Sequence, residues 1–132
     1  MPAAFENNTL STTTILVVED ERTSRHAMAH LLRLNGYSTA TTASGEEALR
    51  TLHRGPFPAF ALVDLDLPGM NGLDLIGRLH AMNKDIYSIL ITAADEARVR
   101  AALQGRQVVY LQKPVDFDHL LSLLAAHSQR IA

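Results

Sequence analysis

Short apolar runs alternate with segments of helical spacing along most of this chain. Five runs predict strands, at residues 15–18, 37–42, 60–63, 86–92 and 108–111. The first and third, ILVV and FALV, are apolar at every position. Continuous apolar runs of this length are typical of strands that helices cover on both faces, as in a parallel sheet.

A helix is predicted after each strand, from apolar spacing and from capping residues. The predicted helices occupy 21–35, 44–55, 71–81, 95–104 and the segment that Asp116 opens. Apolar residues recur at helical spacing in the first helix (Ala27, Met28, Leu31, Leu32, Leu34) and in the last (Phe117, Leu120, Leu121, Leu124). Ser44 and Glu47 have the spacing of a capping box.

The alternation predicts one α/β domain with a doubly wound parallel sheet of five strands and five helices. Strand order 2-1-3-4-5, the flavodoxin-like arrangement, is expected for five such units. Residues 14–132 form this predicted domain. Residues 1–13 are polar and without period, and are predicted to be a flexible tail.

Composition excludes several classes of function. There is no cysteine, so disulfides and thiolate chemistry are excluded. Twelve Lys and Arg against fourteen Asp and Glu form no basic stripe, which argues against direct nucleic-acid binding. The longest early apolar run, 15–18, is too short for a signal peptide or a membrane span. A cytoplasmic protein without membrane contact is therefore expected.

Acidic side chains follow two strands that this topology makes neighbours. Glu19 and Asp20 come directly after the first strand, and Asp64 comes directly after the third. Thr92 ends the fourth strand, and Lys113 follows the fifth. Because ligands bind at the carboxyl edge of an open α/β sheet, these side chains are predicted to converge on one site.

Three neighbouring carboxylates repel one another unless a cation lies among them. All-oxygen ligands favour Mg²⁺, with Mn²⁺ as the alternative. A Lys ammonium and a Thr hydroxyl supply the positive charge and the hydrogen-bond donor that a phosphoryl group needs. The site therefore suits phosphoryl transfer to a carboxylate.

Four segments together resemble the receiver domain of two-component response regulators. They are ILVVEDE, VDLDLPGMNG, ILITA and VVYLQKP, in this order, and the resemblance covers residues 14–128. It implies that Asp64 accepts a phosphoryl group from a sensor histidine kinase or a histidine phosphotransfer protein. It also implies that Glu19, Asp20, Asp64 and the backbone carbonyl of Asp66 hold Mg²⁺. Glu19 stands where many members of the family have Asp.

The resemblance further implies a phosphorylation-driven switch and a regulatory domain, not an enzyme. Thr92 and Lys113 would contact the phosphoryl oxygens. Tyr110 would change rotamer on activation and pass the signal to a downstream effector protein. Pro114 is compatible with the cis Lys-Pro bond typical of the family. A single aromatic in a strand is also typical of core packing, so Tyr110 has a second interpretation.

The kinase is expected to dock over the same edge of the sheet, since its phosphohistidine must reach Asp64 in line. Residues that flank the strand ends would then border its footprint. These are Arg22, Arg25 and His26 in the first helix and Pro114 and Val115 after the fifth strand.

Two other classes remain open on the residues alone. Asp64-Leu-Asp66 also resembles the DxD motif of haloacid-dehalogenase-type phosphatases, although that motif normally ends the first strand. A receiver-like binding module that never carries phosphate is the other alternative. At the level of single residues, Asp20 could simply cap the first helix.

Overall fold

Five parallel strands form one sheet that helices cover on both faces. The computed structural model describes residues 13–131, and of residues 129–131 it describes the backbone alone. The strands are β1 Thr14–Val18, β2 Ser38–Thr42, β3 Phe60–Asp64, β4 Tyr87–Thr92 and β5 Val109–Gln112. The helices are α1 Arg22–Leu34, α2 Gly45–Leu52, α3 Gly72–Met82, α4 Glu96–Leu103 and α5 Phe117–Ile131.

The strand order is β2-β1-β3-β4-β5, and every pair is parallel. The predicted fold and order are confirmed. Of the predicted tail, residues 1–12 lie outside the described residues. Thr13 belongs to the sheet region, since its carbonyl accepts a hydrogen bond from the Ser38 amide at 2.9 Å.

The register places the predicted site residues side by side. Val18 pairs with Val63 across β1 and β3, so the next residues, Glu19 and Asp64, are level at the carboxyl edge. Thr92 pairs with Gln112 across β4 and β5, directly before Lys113. A parallel sheet thus brings four strand ends to one edge.

The central strands are buried because each face of the sheet has its own core. Val17 and Leu62 pack in a cluster with Leu32 of α1 and Leu120 and Leu124 of α5. Alternate residues of the same strands face the other side, in a cluster with residues of α2 and α3. A third cluster joins β4 to α4. This explains why the runs 15–18 and 60–63 show no alternation.

The helix caps in the structure lie within one or two residues of the predicted caps. Glu21 caps α1, where its carboxylate accepts from the Ser24 amide at 2.7 Å, so Asp20 is not the cap. Asn71 and Asp116 cap α3 and α5 as predicted. Gln104 caps the end of α4, after Leu103, and adopts a left-handed conformation before Gly105.

The predicted capping box at α2 is only half formed. Ser44 Oγ accepts from the Glu47 amide at 3.1 Å, as expected. The Glu47 carboxylate accepts from the amide of Ala43 at 2.7 Å, not from that of Ser44. α2 also ends at Leu52, three residues before Gly55. The long Glu side chain reaches past the cap to the free amide that precedes it.

Helical spacing misplaces several apolar residues. Leu31 and Leu34 are 41% and 68% exposed, so they lie on the outer side of α1. In α5, Leu123 joins the core cluster, and Leu121 does not. Apolar residues on these helices extend beyond the stripe that faces the sheet, and spacing alone cannot tell the two sides apart.

Candidate functional site

The acidic site lies at the carboxyl edge of β1 and β3. Glu19, Asp20 and Asp64 each offer a carboxylate oxygen, and these oxygens lie within 4.8 Å of one another. Glu19 and Asp64 are 8% and 7% exposed, whereas Asp20 is exposed. Two acids are therefore held in the sheet edge, and the third faces solvent above them.

Lys113 joins the two buried acids. Its Nζ donates to Glu19 Oε1 and to Asp64 Oδ2, at 2.9 Å each. Burial lowers the pKa of Lys113, but hydrogen bonds and charge attraction from Asp64 and Glu19 outweigh it and raise the pKa to about 12. The residue carries a full positive charge at any physiological pH.

The charge state of Glu19 is set by opposing effects. Burial raises its pKa, as does the negative charge of Asp64. The ammonium of Lys113 and the amide of Glu21, which donates to Oε2 at 3.1 Å, act in the other direction. The pKa of Glu19 stays above its ordinary value, because burial outweighs the groups that lower it.

The backbone amide of Asp66 contacts Asp64, and the Asp66 side chain turns towards α4. Its amide donates to Asp64 Oδ1 at 2.9 Å. Its carboxylate pairs with the Arg98 guanidinium of α4, with N–O distances of 2.6 and 3.2 Å. Both oxygens of Asp64 therefore have donors, from Lys113 and from the Asp66 amide. The Asp66 carboxylate is not part of the acid cluster.

Arg25 supports the loop that carries the acid pair. Its guanidinium donates to the carbonyls of Glu19 at 2.9 Å and of Asp20 at 3.3 Å. The side chain is half-buried. Of the five predicted kinase contacts, Arg25 is thus engaged within the chain, whereas Arg22, His26 and Pro114 are exposed and Val115 is half-buried.

Thr92 and Tyr110 lie on the same face of neighbouring strands. Thr92 is fully buried, and its hydroxyl accepts from the Ala94 amide at 2.9 Å. Tyr110 pairs with Leu90 across β4 and β5 and packs, half-buried, against the cluster that joins β4 to α4. The core interpretation and the switch interpretation of Tyr110 are both compatible with this position.

The loop from β3 to α3 is held by α2. Glu46 Oε2 accepts from the Met70 amide at 3.1 Å, and Gly69 adopts a left-handed φ of 73° beside it. A Cβ on Gly69 would lie 2.8 Å from the same Glu46 oxygen. Glycine allows both the turn and the close approach.

The residues present fit a divalent cation such as Mg²⁺. The three carboxylates are hard oxygen donors, and an exposed acid such as Asp20 leaves room for the coordinated waters that Mg²⁺ retains. Glu19, Asp20 and Asp64 are the residues that would hold it. A bound cation would supply charge neutralisation among the acids.

Comparison with known proteins decides the family. The model of the response regulator receiver domain matches residues 15–125. The chain belongs to this family. The receiver domain is similar to the response regulator FleR of Pseudomonas aeruginosa, with 35% identity over 86% of this chain and 24% of that protein. It is 32% identical to the response regulator MprA of Mycolicibacterium vanbaalenii, over 88% of this chain and 50% of that protein. It spans half or less of the length of these relatives.

Solved structures give the same result. The response regulator TrrA of Thermotoga maritima, determined in complex with Mg²⁺ and BeF, is 30% identical, with a TM-score of 0.75 over 87% of this chain and 98% of that chain. A CheY-like receiver protein of Methanospirillum hungatei is 26% identical, with a TM-score of 0.77 over 90% and 96%. Within residues 13–131 of the receiver domain, no helix is long and apolar enough to cross a membrane.

The structure brings together Glu19, Asp20, Asp64 and Lys113, as the strand order predicted. Sequence reasoning missed the contacts of Arg25 with the acidic loop and of Arg98 with Asp66. A positive side chain in the first turn of the first helix was a usable signal for Arg25, since it lies five or six positions after the acids. No local pattern marks Arg98, which is 32 positions from Asp66.

Proposed function

We propose that this receiver domain is a phosphorylation-dependent signalling switch in which Asp64 accepts a phosphoryl group. The donor is the phosphohistidine of a sensor histidine kinase or of a histidine phosphotransfer protein. Glu19, Asp20, Asp64 and the backbone carbonyl of Asp66 would hold the Mg²⁺ ion, with Mn²⁺ as a substitute. The single observation that carries the proposal is the contact of Lys113 with both Glu19 and Asp64 at the sheet edge.

The chain's own groups suit this transfer. A free oxygen lone pair of Asp64 attacks phosphorus, the phosphorus–nitrogen bond of phosphohistidine breaks, and the imidazole leaves with the electron pair. The Lys113 ammonium lies within hydrogen-bond reach of Asp64 and meets the charge of the phosphoryl oxygens. The Asp66 amide donates to Asp64 at the same edge. The Thr92 hydroxyl accepts from the Ala94 amide and also has a hydrogen that it could donate to a phosphoryl oxygen.

The test is Mg²⁺-dependent labelling of the purified chain by acetyl phosphate. We expect one phosphoryl group per chain by intact-mass measurement. No labelling is expected when a metal chelator is present from the start of the reaction. Domain boundaries of 14–132, cytoplasmic location and a protein effector downstream are part of the same proposal. A regulatory role is supported by the family, because receiver domains of response regulators are generally regulatory.

The phosphatase alternative has little support. Asp64 ends the third strand, not the first, and the family match is to receiver domains. The alternative of a binding module that never carries phosphate is left to the labelling experiment, since absence of label would favour it.

The kinase footprint is proposed to cover the exposed edge around Arg22, His26, Pro114 and Val115. A cavity of about 250 Å³ opens there, next to Lys113, between α1 and the segment that follows β5. Its walls are mostly apolar, and Val115 contributes to them. This cavity suits an apolar side chain of a docked partner close to Asp64.

Charge reversal of Arg22 is expected to slow phosphoryl transfer from the cognate kinase by about tenfold, because charges at an interface rim steer association. Stopped-flow or gel-based transfer rates measure the effect. Arg50→Glu, the same change in the last turn of α2, is the matched control. Arg25 is unsuitable for this test, since its replacement would also release the Glu19 and Asp20 carbonyls. An unaltered rate for Arg22→Glu would place the kinase elsewhere.

The switch is proposed to run from Thr92 to Tyr110. A phosphoryl group adds about −1.5 to −2 charges, and the Thr92 hydroxyl can move to donate to it. This movement would break the hydrogen bond between the Thr92 hydroxyl and the Ala94 amide. It would also free space on the face of the sheet that Thr92 and Tyr110 share. Inward rotation of Tyr110 would then alter the surface formed by α4, β5 and α5.

Thr92→Val is expected to bind beryllofluoride at Asp64 and yet to leave α4 unchanged, because it keeps the side-chain shape and lacks the hydroxyl. Thr92→Ser, which keeps the hydroxyl, is expected to respond like the wild type. Amide chemical shifts of α4 and ring signals of Tyr110, with and without the mimic, measure the response. Equal responses in the Val and Ser variants would show that the hydroxyl does not transmit the signal.

A further inference from the structure

One ion pair connects the loop from β3 to α3, which follows Asp64, to α4. The guanidinium of Arg98 binds both oxygens of the Asp66 carboxylate, at 2.6 and 3.2 Å. The same residue, Asp66, donates its amide to Asp64 Oδ1 at 2.9 Å. Asp66 therefore contacts Asp64 through its backbone amide and α4 through its carboxylate.

Asp66 is the fourth acid of this edge, after Glu19, Asp20 and Asp64. Lys113 contacts two of the other three, Glu19 and Asp64, and makes no contact with Asp66. Arg98 is the cation that pairs with it, and its pKa is raised above its ordinary value by the hydrogen bond and the charge of Asp66. A planar guanidinium suits this task, because it binds a carboxylate at two points.

We propose that Arg98 is a positioning residue for the phosphoryl-transfer site: it neutralises the Asp66 carboxylate and holds it away from the acceptor. The inference rests on the proposed function. An unpaired Asp66 would add one negative charge beside Asp64. That charge would repel an anionic phosphodonor and attract a divalent cation, so its two effects have opposite signs.

The pair is exposed, which limits its stabilising role and leaves an electrostatic one. The side chains of Arg98 and Asp66 are 59% and 48% exposed. Exposed ion pairs contribute little to folding stability. The charge of the Asp66 carboxylate nevertheless acts through the solvent on a small ion or a phosphodonor bound beside it. Replacement of Arg98 by Gln also keeps the helix propensity of the position.

The experiment measures labelling by acetyl phosphate at saturating Mg²⁺, and Mg²⁺ affinity by titration calorimetry. Arg98→Gln is expected to slow labelling on the order of threefold to tenfold and to bind Mg²⁺ about threefold more tightly. The slower labelling should approach the wild-type rate as salt is added, because salt screens exposed charges. Arg98→Lys keeps the charge and should restore most of the wild-type labelling rate and most of the wild-type Mg²⁺ affinity.

Two further variants identify the path of the effect. In the Asp66→Asn background, Arg98→Gln should have no additional effect on either measurement, because the charge that Arg98 neutralises is gone. Arg100→Gln is the matched control. It removes the same charge from the same helix, but Arg100 pairs with Glu96 at 3.4 Å within α4.

The outcomes separate the explanations. Slower labelling with tighter Mg²⁺ binding, both abolished by Asp66→Asn, supports the inference. Weaker Mg²⁺ binding together with slower labelling would indicate a structural defect and overturn it. An equal loss in the Asp66→Asn background would mean that Arg98 acts on the donor itself, which also overturns it. If the wild type takes no label, the proposed function fails, and the Mg²⁺ titrations alone decide the role of Arg98.

Discussion

Replacement of Asp64 by Asn is expected to reduce phosphoryl labelling to below detection. The amide has nearly the shape of the carboxylate, so the strand end keeps its packing. The Asn side chain lacks the negatively charged oxygen that would act as the nucleophile. Asp64 is the carboxylate that has both the Lys113 ammonium and the Asp66 amide as donors. Intact-mass measurement after incubation with acetyl phosphate and Mg²⁺ gives the result directly.

Asp74→Asn is the control for this experiment. Asp74 is an exposed acid in the first turn of α3, and its removal should leave labelling unchanged. Circular dichroism of Asp64→Asn should show the wild-type fold. Acid-labile labelling of Asp64→Asn at the wild-type level would identify another acceptor, and Asp66→Asn in that background would then test the second acid of the loop.

Replacement of Gly72 by Ala is expected to destabilise the domain by about 3 kcal/mol. A Cβ at this position would overlap the carbonyl oxygen of Asp64 and lie 2.9 Å from the Leu65 Cα. The Gly72 amide also donates to the Leu65 carbonyl at 2.9 Å, so α3 begins in direct contact with the end of β3. Because backbone cannot move aside as a side chain can, the loop from β3 to α3 must shift.

The free energy of unfolding from urea titration measures this cost. Gly77→Ala in the same helix is the matched control, because nothing lies within 4 Å of its Cβ position. That variant should gain roughly 0.5–1 kcal/mol, the usual advantage of Ala over Gly in a helix. Folded Gly72→Ala should also label more slowly than the wild type, since Asp64 is displaced. A stability within about 0.5 kcal/mol of the wild type would mean that α3 does not contact the strand end so closely.

The sequence by itself determined the fold. Continuous apolar runs such as ILVV and FALV distinguish strands buried on both faces from half-exposed ones, and right-handed crossovers leave few topologies for five such units. The strand order and the parallel pairing followed. Caps at Asn71 and Asp116 were also readable, because a cap depends on a side chain and the next few amides alone.

The sequence also determined which strand ends carry the site. Glu19, Asp64, Thr92 and Lys113 each follow or end a strand, and a parallel sheet brings the carboxyl ends of strands to one edge. Their convergence needs no knowledge of rotamers. It follows from the direction and the order of the strands.

Only the tertiary structure decided which charges pair. Lys113 contacts Glu19 and Asp64, and Arg98 contacts Asp66 across 32 positions. Arg25 contacts the backbone carbonyls of Glu19 and Asp20. Long side chains reach several ångströms in many directions, so their partners depend on how neighbouring helices pack. The same packing places Leu31 and Leu34 outside, because helical period defines a stripe but not which part of it faces the sheet.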